Sequence, residues 1–386
     1  MSSLHRLSAL LGFAALTCAA VYAVLALLAM VIWRLRRRPA QAAVAAPVTI
    51  LKPLCGAEPG LYRNLRSFCA QDYALFQVVF GVRDPTDPAL AVVQQLQQEF
   101  PNLPIEVVID SRQHGTNRKV STLINMLQRA RHDLLVIADS DACVARDYLG
   151  SVIAPLADPK VGLVTCLYRG VPTRSIWSRL GAMYINEWYI PSVLVAWLFG
   201  HRSYVSGQTL CMRRDTLKAI GGLQAIADYL ADDYQLGELV RAAGQRIVLS
   251  PYLLQAEHDE ARFELLAQHE LRWMRTIAVL RPRSFRFLFF TFSLPMAILG
   301  AACAIAAGFQ PAAAWSLLEV TLVVRILLHL VYRLRDGGLL LADLWLLPLR
   351  DLLLCWVWVR SFSTSTVLWR GNEFAVGPDG ILRKLS

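Results

Sequence analysis

The chain has 386 residues, of which 55% are hydrophobic and only 18% are charged, and its formal net charge is +10. Typical soluble domains carry about 25% charged residues, so the composition indicates a membrane protein. The positive excess is typical of chains that meet anionic lipid headgroups on the cytoplasmic side. No basic stripe is interleaved with aromatic residues, so we expect no nucleic-acid partner. The eight cysteines form no C-x-x-C pair, which argues against a zinc site or a disulfide frame.

An apolar run over residues 8–33 opens the chain and is about as long as a bilayer is thick. Arginines at positions 34, 36, 37 and 38 follow it at once. A cleavable signal peptide carries its positive charge before the apolar core, whereas here the charge comes after it. The order predicts an uncleaved anchor, residues 1–38, with the chain from residue 34 onward in the cytoplasm.

Short apolar strands alternate with helices in the next part of the chain. The predicted elements are strands at 48–51, 77–82, 105–109 and 134–138, and helices at 61–69, 89–100 and 119–130. This alternation predicts an α/β domain with a mostly parallel sheet and helices on both faces. In such sheets the ligand lies beyond the carboxyl ends of the strands. G-x-G-x-x-G and P-loop motifs are absent from the sequence, so dinucleotide-binding and P-loop classes are excluded.

Asp139-Ser140-Asp141 directly follows the fourth predicted strand. Residues two apart in an extended segment project to the same side, so the two carboxylates share one face. Such a pair is a hard-oxygen site for Mg²⁺ or Mn²⁺, which can bridge two phosphates. The metal would offset the charge that develops on a leaving diphosphate. The position after a buried strand favours a functional site over a chance surface triplet.

Two further acidic segments have a structural and a functional interpretation. Asp84 begins a turn in which aspartates can cap the following helix, and by itself this interpretation is favoured. Asp232-Asp233-Tyr234 precedes a helical pattern at 235–240. The pair either caps that helix or holds a general base at its start, and the residues alone leave both open.

His269, Arg272 and Trp273 lie on one face of a predicted helix over 263–277. Arg272 could grip a phosphate, and Trp273 could stack on a sugar or shape an acceptor pocket. The alternative is an amphipathic helix on the membrane surface with its tryptophan at the interface. Lys119 opens another predicted helix and could reach a phosphate or uracil, although a lone lysine there is usually solvated.

Three more apolar segments, 287–308, 312–332 and 339–359, predict two to three C-terminal transmembrane helices. The second segment carries a glutamate, an arginine and a histidine at positions 319, 325 and 329, which we expect to face protein or a cavity. The third contains a proline and two charged residues within 348–351, so it is either one spanning helix or a broken, re-entrant one.

Taken in order, the motifs at Asp84, Asp139-Ser140-Asp141, Asp232-Asp233-Tyr234 and His269-Glu270-Leu271-Arg272-Trp273 resemble a known series. They are similar to the D, DxD, (E/D)D and (Q/R)xxRW motifs of processive-type family 2 and related family 21 glycosyltransferases. The opening strand, residues 50–56, and the membrane segments resemble those of ceramide glucosyltransferases and their bacterial relatives. Those relatives include the hopanoid-biosynthesis glycosyltransferases, which add N-acetylglucosamine to bacteriohopanetetrol. The resemblance covers about 48 to 370, with His269 in place of the family's Gln or Arg.

The resemblance implies a cytoplasmic, Rossmann-like catalytic domain of GT-A type over residues 39–285, followed by a C-terminal membrane region at 286–368 and a tail at 369–386. The implied donor is a UDP-sugar, the cofactor Mn²⁺ or Mg²⁺, and the acceptor a membrane lipid. It further implies a multi-pass protein of the bacterial inner membrane.

The resemblance also implies residue roles, which share one catalytic centre. Asp84 would contact uracil or ribose, Asp139 would hold the nucleotide sugar and the metal, and Asp141 would ligate the metal. Lys119 would lie near the nucleotide, and Asp233 would be the base. His269, Arg272 and Trp273 would bind the diphosphate and acceptor end.

The implied reaction is a single displacement that transfers glucose or N-acetylglucosamine with inversion to a hopanoid polyol or ceramide. One alternative is a processive polysaccharide synthase, but the membrane segments look too few for a polymer channel. Another is a non-catalytic membrane scaffold with a transferase-like domain, against which the intact acidic set argues.

Overall fold

The computed structural model describes residues 3–36, 46–202, 204–308, 310–336, 341–363, 366–369, 372–377 and 379–384. The strands are β1 (Val48–Pro53), β2 (Phe76–Val82), β3 (Ile105–Ile109), β4 (Leu134–Ile137), β5 (Ala142–Cys143), β6 (Val161–Pro172), β7 (Leu210–Arg213), β8 (Arg246–His258), β9 (Thr366–Trp369), β10 (Asn372–Val376) and β11 (Leu382–Lys384). The helices are α1 (Ser3–Leu35), α2 (Leu61–Cys69), α3 (Ala89–Glu99), α4 (Arg118–Leu127), α5 (Tyr148–Ile153), α6 (Ile176–Tyr184), α7 (Ile190–Leu198), α8 (Arg214–Ala219), α9 (Asp232–Ala242), α10 (Phe263–Leu280), α11 (Pro282–Arg286), α12 (Ser293–Ala306), α13 (Pro311–Asp336) and α14 (Leu347–Ser361).

Contacts divide the chain into two compact units, each assembled from separate stretches. We call them the sheet unit, residues 37–171, 202–259 and 372–386, and the helical unit, residues 1–36, 172–201 and 260–371. The predicted boundaries at residues 38, 285 and 368 separate membrane segments from the rest of the chain. The two compact units are defined by contacts between residues, so those boundaries stay predictions.

The sheet unit contains an eight-stranded sheet in the order β3-β2-β1-β4-β7-β6-β8-β5. β1 pairs in parallel with β2 and β4, and β2 pairs in parallel with β3. These are the four strands that the sequence predicts, and the helices α2, α3 and α4 that connect them are also predicted. β7 then pairs antiparallel with both β4 and β6, and β5 pairs antiparallel with β8. The parallel half therefore brings the carboxyl ends of its four strands to one edge.

The parallel half folds around a continuous apolar core. Leu51, Val79 and Leu135 on adjacent strands are fully buried, together with Val120 of α4 and Leu236 of α9. Strands buried on both faces are nearly continuous in apolar residues, which explains why these segments could be recognised from sequence. The polar residues that follow the strands are thereby excluded from the core and collect at its edge.

In the helical unit, α1 packs against α12 and α13. The chains of α1 and α12 approach closely at two glycines: a Cβ added to Gly12 would lie 2.7 Å from Ala304 N, and one added to Gly300 would lie 2.7 Å from Gly12 O. Small residues at such crossings are typical of helices that associate within membranes.

Two described helices are long and apolar enough to cross a membrane, over Leu7–Leu35 and Pro311–Leu334. They correspond to the predicted segments 8–33 and 312–332. The other two predicted segments contain the helices α12 and α14, of 14 and 15 residues, whereas a straight crossing needs about 20. A proline stands in the first turn of α14, a position that starts a helix rather than interrupting one.

Two polar residues of α13, Arg325 and His329, belong to a buried network. Arg325 lies 2.7 Å from Glu187 and 3.0 Å from Asp351, while His329 Nδ1 lies 2.8 Å from the second oxygen of Glu187. Arg325 and His329 therefore face protein, as predicted. Glu319 is exposed instead, because it is not on the i, i+4 face that Arg325 and His329 share.

Candidate active site

The candidate active site of the sheet unit lies at the carboxyl edge of its parallel half. Asp139 and Asp141 follow β4, Lys119 lies in the first turn of α4, and Asp232 and Asp233 begin α9. The ends of β4, α4 and α9 therefore position five of the residues predicted from the sequence. Ion pairs link three of these residues directly.

Lys119 joins the D-x-D segment to the start of α9. Its Nζ lies 2.6 Å from Asp139 Oδ1 and 3.3 Å from Asp232 Oδ2. Burial opposes the charge on this lysine, but the carboxylates of Asp139 and Asp232 outweigh it and raise the pKa of Lys119. Lys119 is thus a permanent cation between two of the acids, not a solvated lysine.

The start of α4 is held in place by its cap, and this fixes Lys119. The side chain of Asn117 accepts a hydrogen bond from Val120 N at 3.1 Å. Its Nδ2 also donates to Tyr229 O at 2.8 Å, so the cap is tied to the segment that leads into α9. The two helix starts that carry Lys119 and the acid pair are therefore held together.

Asp232 and Asp233 lie in the first turn of α9, where Ala231 occupies the capping position. Neither acid is the cap, so the capping interpretation of the sequence does not apply. Asp233 Oδ2 accepts a hydrogen bond from Gly207 N at 2.8 Å, and its Oδ1 accepts one from Tyr234 N at 2.7 Å. Burial and the neighbouring charge of Asp232 raise the pKa of Asp233 to about 6. Burial also raises the pKa of Asp232, against the opposing charge of Lys119.

A turn at residues 206–208 completes the cluster, although by itself its sequence indicates only a turn that contains glycine. Leu210 of β7 lies opposite Ile137 of β4 in antiparallel register, so the chain before Leu210 runs beside the chain after Ile137. A Cβ added to Gly207 would lie 3.0 Å from both Asp139 Oδ2 and Lys119 Nζ. This is closer than an ordinary van der Waals contact, so a side chain at this position would press on both groups.

Gln208 in the same turn reaches Asp141. Its Nε2 donates to Asp141 Oδ1 at 3.0 Å and to Oδ2 at 3.2 Å. Among the described residues, Asp141 has this amide as its hydrogen-bonding partner and no ion-pair partner. One carboxylate of the D-x-D pair is therefore neutralised by Lys119 and the other is not.

Lys52 is a second residue for which sequence reasoning assigned no role. It is the penultimate residue of β1, is fully buried, and donates from Nζ to the backbone oxygen of Asp139 at 2.7 Å. The Nζ also lies 3.4 Å from the centre of the Phe68 ring. Burial lowers the pKa of Lys52 to about 7, against the charges of Asp141 and Asp139. A lysine in an otherwise apolar strand is the signal that could have identified it.

Asp84 lies at the end of β2, on the same edge of the sheet. Its Oδ1 accepts hydrogen bonds from the backbone N and the hydroxyl of Thr86, at 2.8 and 2.7 Å. These hydrogen bonds lower the pKa of this exposed carboxyl group. Asp84 forms the predicted turn, and no hydrogen bond or ion pair found in the described residues joins it to the acids of the D-x-D segment.

His269, Arg272 and Trp273 belong to the helical unit, on α10 as predicted. His269 Nδ1 lies 2.8 Å from Glu260 Oε1, and its ring lies 4.1 Å from that of Trp273. Trp273 in turn stacks on Tyr184 with ring centres 5.6 Å apart. All three predicted residues are half-buried, so their face of α10 is shaped by packing as well as by polar contacts.

Three comparisons with known proteins bear on this arrangement. The sequence profile of glycosyl transferase family 21 matches residues 12–382. Ceramide glucosyltransferase 3 of Caenorhabditis elegans is 21% identical over 387 residues, which cover 95% of this chain and 81% of that protein. Ceramide glucosyltransferase 1 of the same organism is 24% identical over 222 residues. That match covers 57% of this chain and about half (47%) of the relative's length.

Among solved structures, a mannosyltransferase from Pyrobaculum calidifontis, in complex with GDP-Man and Mn²⁺, is similar to this chain. The likeness covers 92% of this chain and 99% of that one, at 20% sequence identity and a TM-score of 0.55. It shows a shared fold and confirms the predicted GT-A type of α/β architecture.

Proposed function

Because the chain belongs to glycosyl transferase family 21, we propose that it transfers a sugar from a UDP-sugar to a hydroxyl group of a membrane lipid. The observation that carries this proposal is the cluster at the sheet edge, in which Lys119 contacts Asp139 and Asp232 while the turn at 206–208 contacts Asp141 and Asp233. A carboxylate-rich cleft beyond parallel strands suits a nucleotide diphosphate held through a divalent cation.

The charges of the cluster support a divalent cation. Four carboxylates lie near the ammonium groups of the buried Lys52 and the half-buried Lys119, so two negative charges stay uncompensated when all six groups are ionised. Hard oxygen donors of this kind fit Mn²⁺ or Mg²⁺. We propose that Asp141 and Asp139 hold the ion. When bound, it would stabilise the negative charge on the leaving diphosphate.

Asp233 has the properties of the proposed base. Its carboxylate is buried and held by two backbone N–H groups, and its pKa of about 6 makes it a stronger base than an exposed aspartate while leaving it mostly ionised at neutral pH. The acceptor O–H would lose its proton to Asp233, and its oxygen would form a bond to the anomeric carbon. The bond from that carbon to the UDP oxygen would break on the opposite face. One such displacement converts an α-linked donor into a β-glycoside.

The other predicted residues have supporting positions in this proposal. Lys119 would hold Asp139 and Asp232 in place beside the nucleotide, and Asp84 would meet uracil or ribose at the neighbouring strand end. Arg272 and Trp273, with His269 oriented by Glu260, would serve the diphosphate and acceptor end.

The lipid acceptor is supported by two observations. Two helices in the described part of the chain are long and apolar enough to cross a membrane, and the relatives at 21% and 24% identity are ceramide glucosyltransferases. A hopanoid polyol and ceramide both present a hydroxyl group at the membrane surface, and glucose or N-acetylglucosamine would be the sugar. The arginines after α1 support the further proposal that the catalytic side of a multi-pass inner-membrane protein faces the cytoplasm.

The test is a transfer assay with the full chain in lipid nanodiscs. UDP-glucose and UDP-N-acetylglucosamine are each supplied with ceramide or bacteriohopanetetrol, and lipids are analysed by mass spectrometry. The proposal expects one added sugar per lipid, lost in Asp141→Asn and Asp233→Asn. Repeated additions would indicate a processive synthase. Absence of UDP release with every acceptor would indicate a non-catalytic scaffold.

A further inference from the structure

Gln208 carries an atom that the rest of the cluster does not explain. The residue is 8% exposed, and its Nε2 contacts both oxygens of Asp141. Its Oε1 is buried and, in the part of the chain that is described, has no hydrogen-bond partner. A buried acceptor without a partner costs free energy, so such an atom in a site requires a reason.

The backbone around Gln208 is fixed, so a change at this position must come from its side chain. Gly207 N donates to Asp233 Oδ2 at 2.8 Å, and Ser206 N donates to Thr165 Oγ1 at 3.1 Å. The two ends of a side-chain amide are nearly equal in size. A half-turn of the amide exchanges Oε1 and Nε2, and no hydrogen bond to Oε1 within the described structure has to be broken for it.

The distances at Asp141 match those between neighbouring ligands of a small divalent cation. Octahedral Mg²⁺ binds oxygen at about 2.1 Å, so adjacent ligand atoms lie about 3.0 Å apart. The amide end of Gln208 lies 3.0 and 3.2 Å from the oxygens of Asp141. An oxygen at the position of Nε2 would repel the carboxylate of Asp141 when no cation is present. When a cation is bound to Asp141, the same oxygen would coordinate it. Amide oxygens are suitable hard ligands.

We propose that Gln208 is a neutral oxygen ligand of the divalent cation that Asp141 binds, and that its amide turns over when the cation arrives. This inference rests on the proposed function, because it assumes that Asp141 holds a cation. In the cation-free state Nε2 occupies the position and satisfies Asp141. With the cation bound, the half-turn exchanges the two ends of the amide: Oε1 joins the ligands, and Nε2 takes the buried position that Oε1 occupied.

The rival explanation is that Gln208 only clamps Asp141. A clamp competes with the cation, since Nε2 occupies both carboxylate oxygens. Removing a clamp would therefore leave cation affinity unchanged or increase it, whereas removing a ligand would decrease it. The two explanations thus predict opposite changes in one binding constant.

The experiment measures Mn²⁺ binding by the full chain in detergent with UDP present, from the electron paramagnetic resonance signal of free Mn²⁺. Gln208→Met keeps the length of the side chain and removes its oxygen, and Gln98→Met on the exposed face of α3 is the matched control. We expect Gln208→Met to weaken Mn²⁺ binding by about 10-fold or more and the control to bind like the wild type. Equal or tighter binding by Gln208→Met overturns the inference.

Gln208→Glu supplies a second measurement that does not depend on the folding of the methionine variant. It keeps an oxygen facing Asp141 in either orientation, so we expect it to bind Mn²⁺ at least as tightly as the wild type. Binding weakened to the level of Gln208→Met overturns the inference as well. Wild-type protein that binds no Mn²⁺ with UDP would remove the metal from the proposed function itself, whereas normal wild-type binding with an unaffected Gln208→Met removes only the role of Gln208.

Discussion

Replacing Asp233 by asparagine tests the proposed base with little change in shape. The amide oxygen of asparagine can still accept the hydrogen bond that Gly207 N gives to Asp233 Oδ2 at 2.8 Å. The substitution removes the ability to take a proton from the acceptor. Loss of a general base typically lowers the rate by about 10²–10⁴-fold. We expect turnover to fall by that factor while UDP affinity persists, because the base faces the acceptor.

The pH dependence of the wild type follows from the raised pKa of Asp233. Burial and the charge of Asp232 raise it from the ordinary 3.8 to about 6. The base acts in its ionised form, so activity should fall as the pH drops through 6. A group with this pKa is roughly nine-tenths ionised at pH 7 and one-tenth at pH 5, which predicts an approximately tenfold loss of kcat/KM between these values. An aspartate with the ordinary pKa would leave the rate almost unchanged over the same range.

Asp232→Asn is the matched control, and it makes a separate prediction. It removes the like charge that helps to raise the pKa of Asp233. The acidic limb of the pH–rate profile should therefore move to lower pH, while turnover at pH 7 is largely kept. Lys119 would lose its contact with Asp232 at 3.3 Å and keep the one with Asp139 at 2.6 Å.

The assay compares single-turnover rates and UDP affinity of both variants from pH 5 to pH 8. Normal turnover by Asp233→Asn together with an inactive Asp232→Asn would show that the wrong acid was assigned. Normal turnover by both would show that the pair is not part of the reaction at all. An unchanged acidic limb in Asp232→Asn would refute the electrostatic link between the two carboxylates.

Other consequences of the structure can be tested in the same preparation. EDTA should abolish transfer and added Mn²⁺ or Mg²⁺ should restore it; full activity after thorough chelation would remove the metal role of Asp141. Gly207→Ala should lower turnover, because the added Cβ would lie 3.0 Å from Asp139 Oδ2 and Lys119 Nζ and displace them, and wild-type kinetics would contradict this packing. Arg325→Met should remove the arginine partner of the buried Asp351 and leave Glu187 with His329 alone, which reduces stability by about 3–5 kcal/mol, measured by denaturant unfolding in detergent. The exposed Arg283→Met is its control, and equal unfolding midpoints would show that the network contributes little.

Much of the parallel half could be predicted from the sequence because its signals are local. β1, β2 and β4 are largely apolar runs followed by polar residues, and the edge where they end follows from chain direction. The position of Asp139 and Asp141 beyond β4 needed no knowledge of distant contacts. Lys119 could be placed at a helix start for the same reason, although its two carboxylate partners could not be foreseen.

The turn at 206–208 could not be predicted because its place depends on a pairing between distant parts of the chain. β7 joins β4 in antiparallel register, with Leu210 opposite Ile137, and no local pattern encodes that choice of partner. Alternating strands and helices favour parallel neighbours, so the sequence pattern pointed away from it. The short helices α12 and α14 differ from the predicted spans for a different reason. Hydropathy finds apolar segments but does not show where turns break them.

The charges at the sheet edge are costly for stability, as is expected of a site that binds a ligand. Lys52 is fully buried with one backbone hydrogen bond and an aromatic ring, which is an expensive place for an ammonium group. A stable core would place an apolar residue at this position, as β1 does at Val48, Ile50 and Leu51. Lys52 instead brings an ammonium group to the backbone of Asp139. In its charged form this group offsets part of the repulsion between the neighbouring carboxylates. Unfavourable local choices of this kind are expected where a ligand later supplies the missing charge. The divalent cation that we propose would supply that charge, and it would link the buried Lys52, the carboxylate of Asp141 and the turn at Gln208.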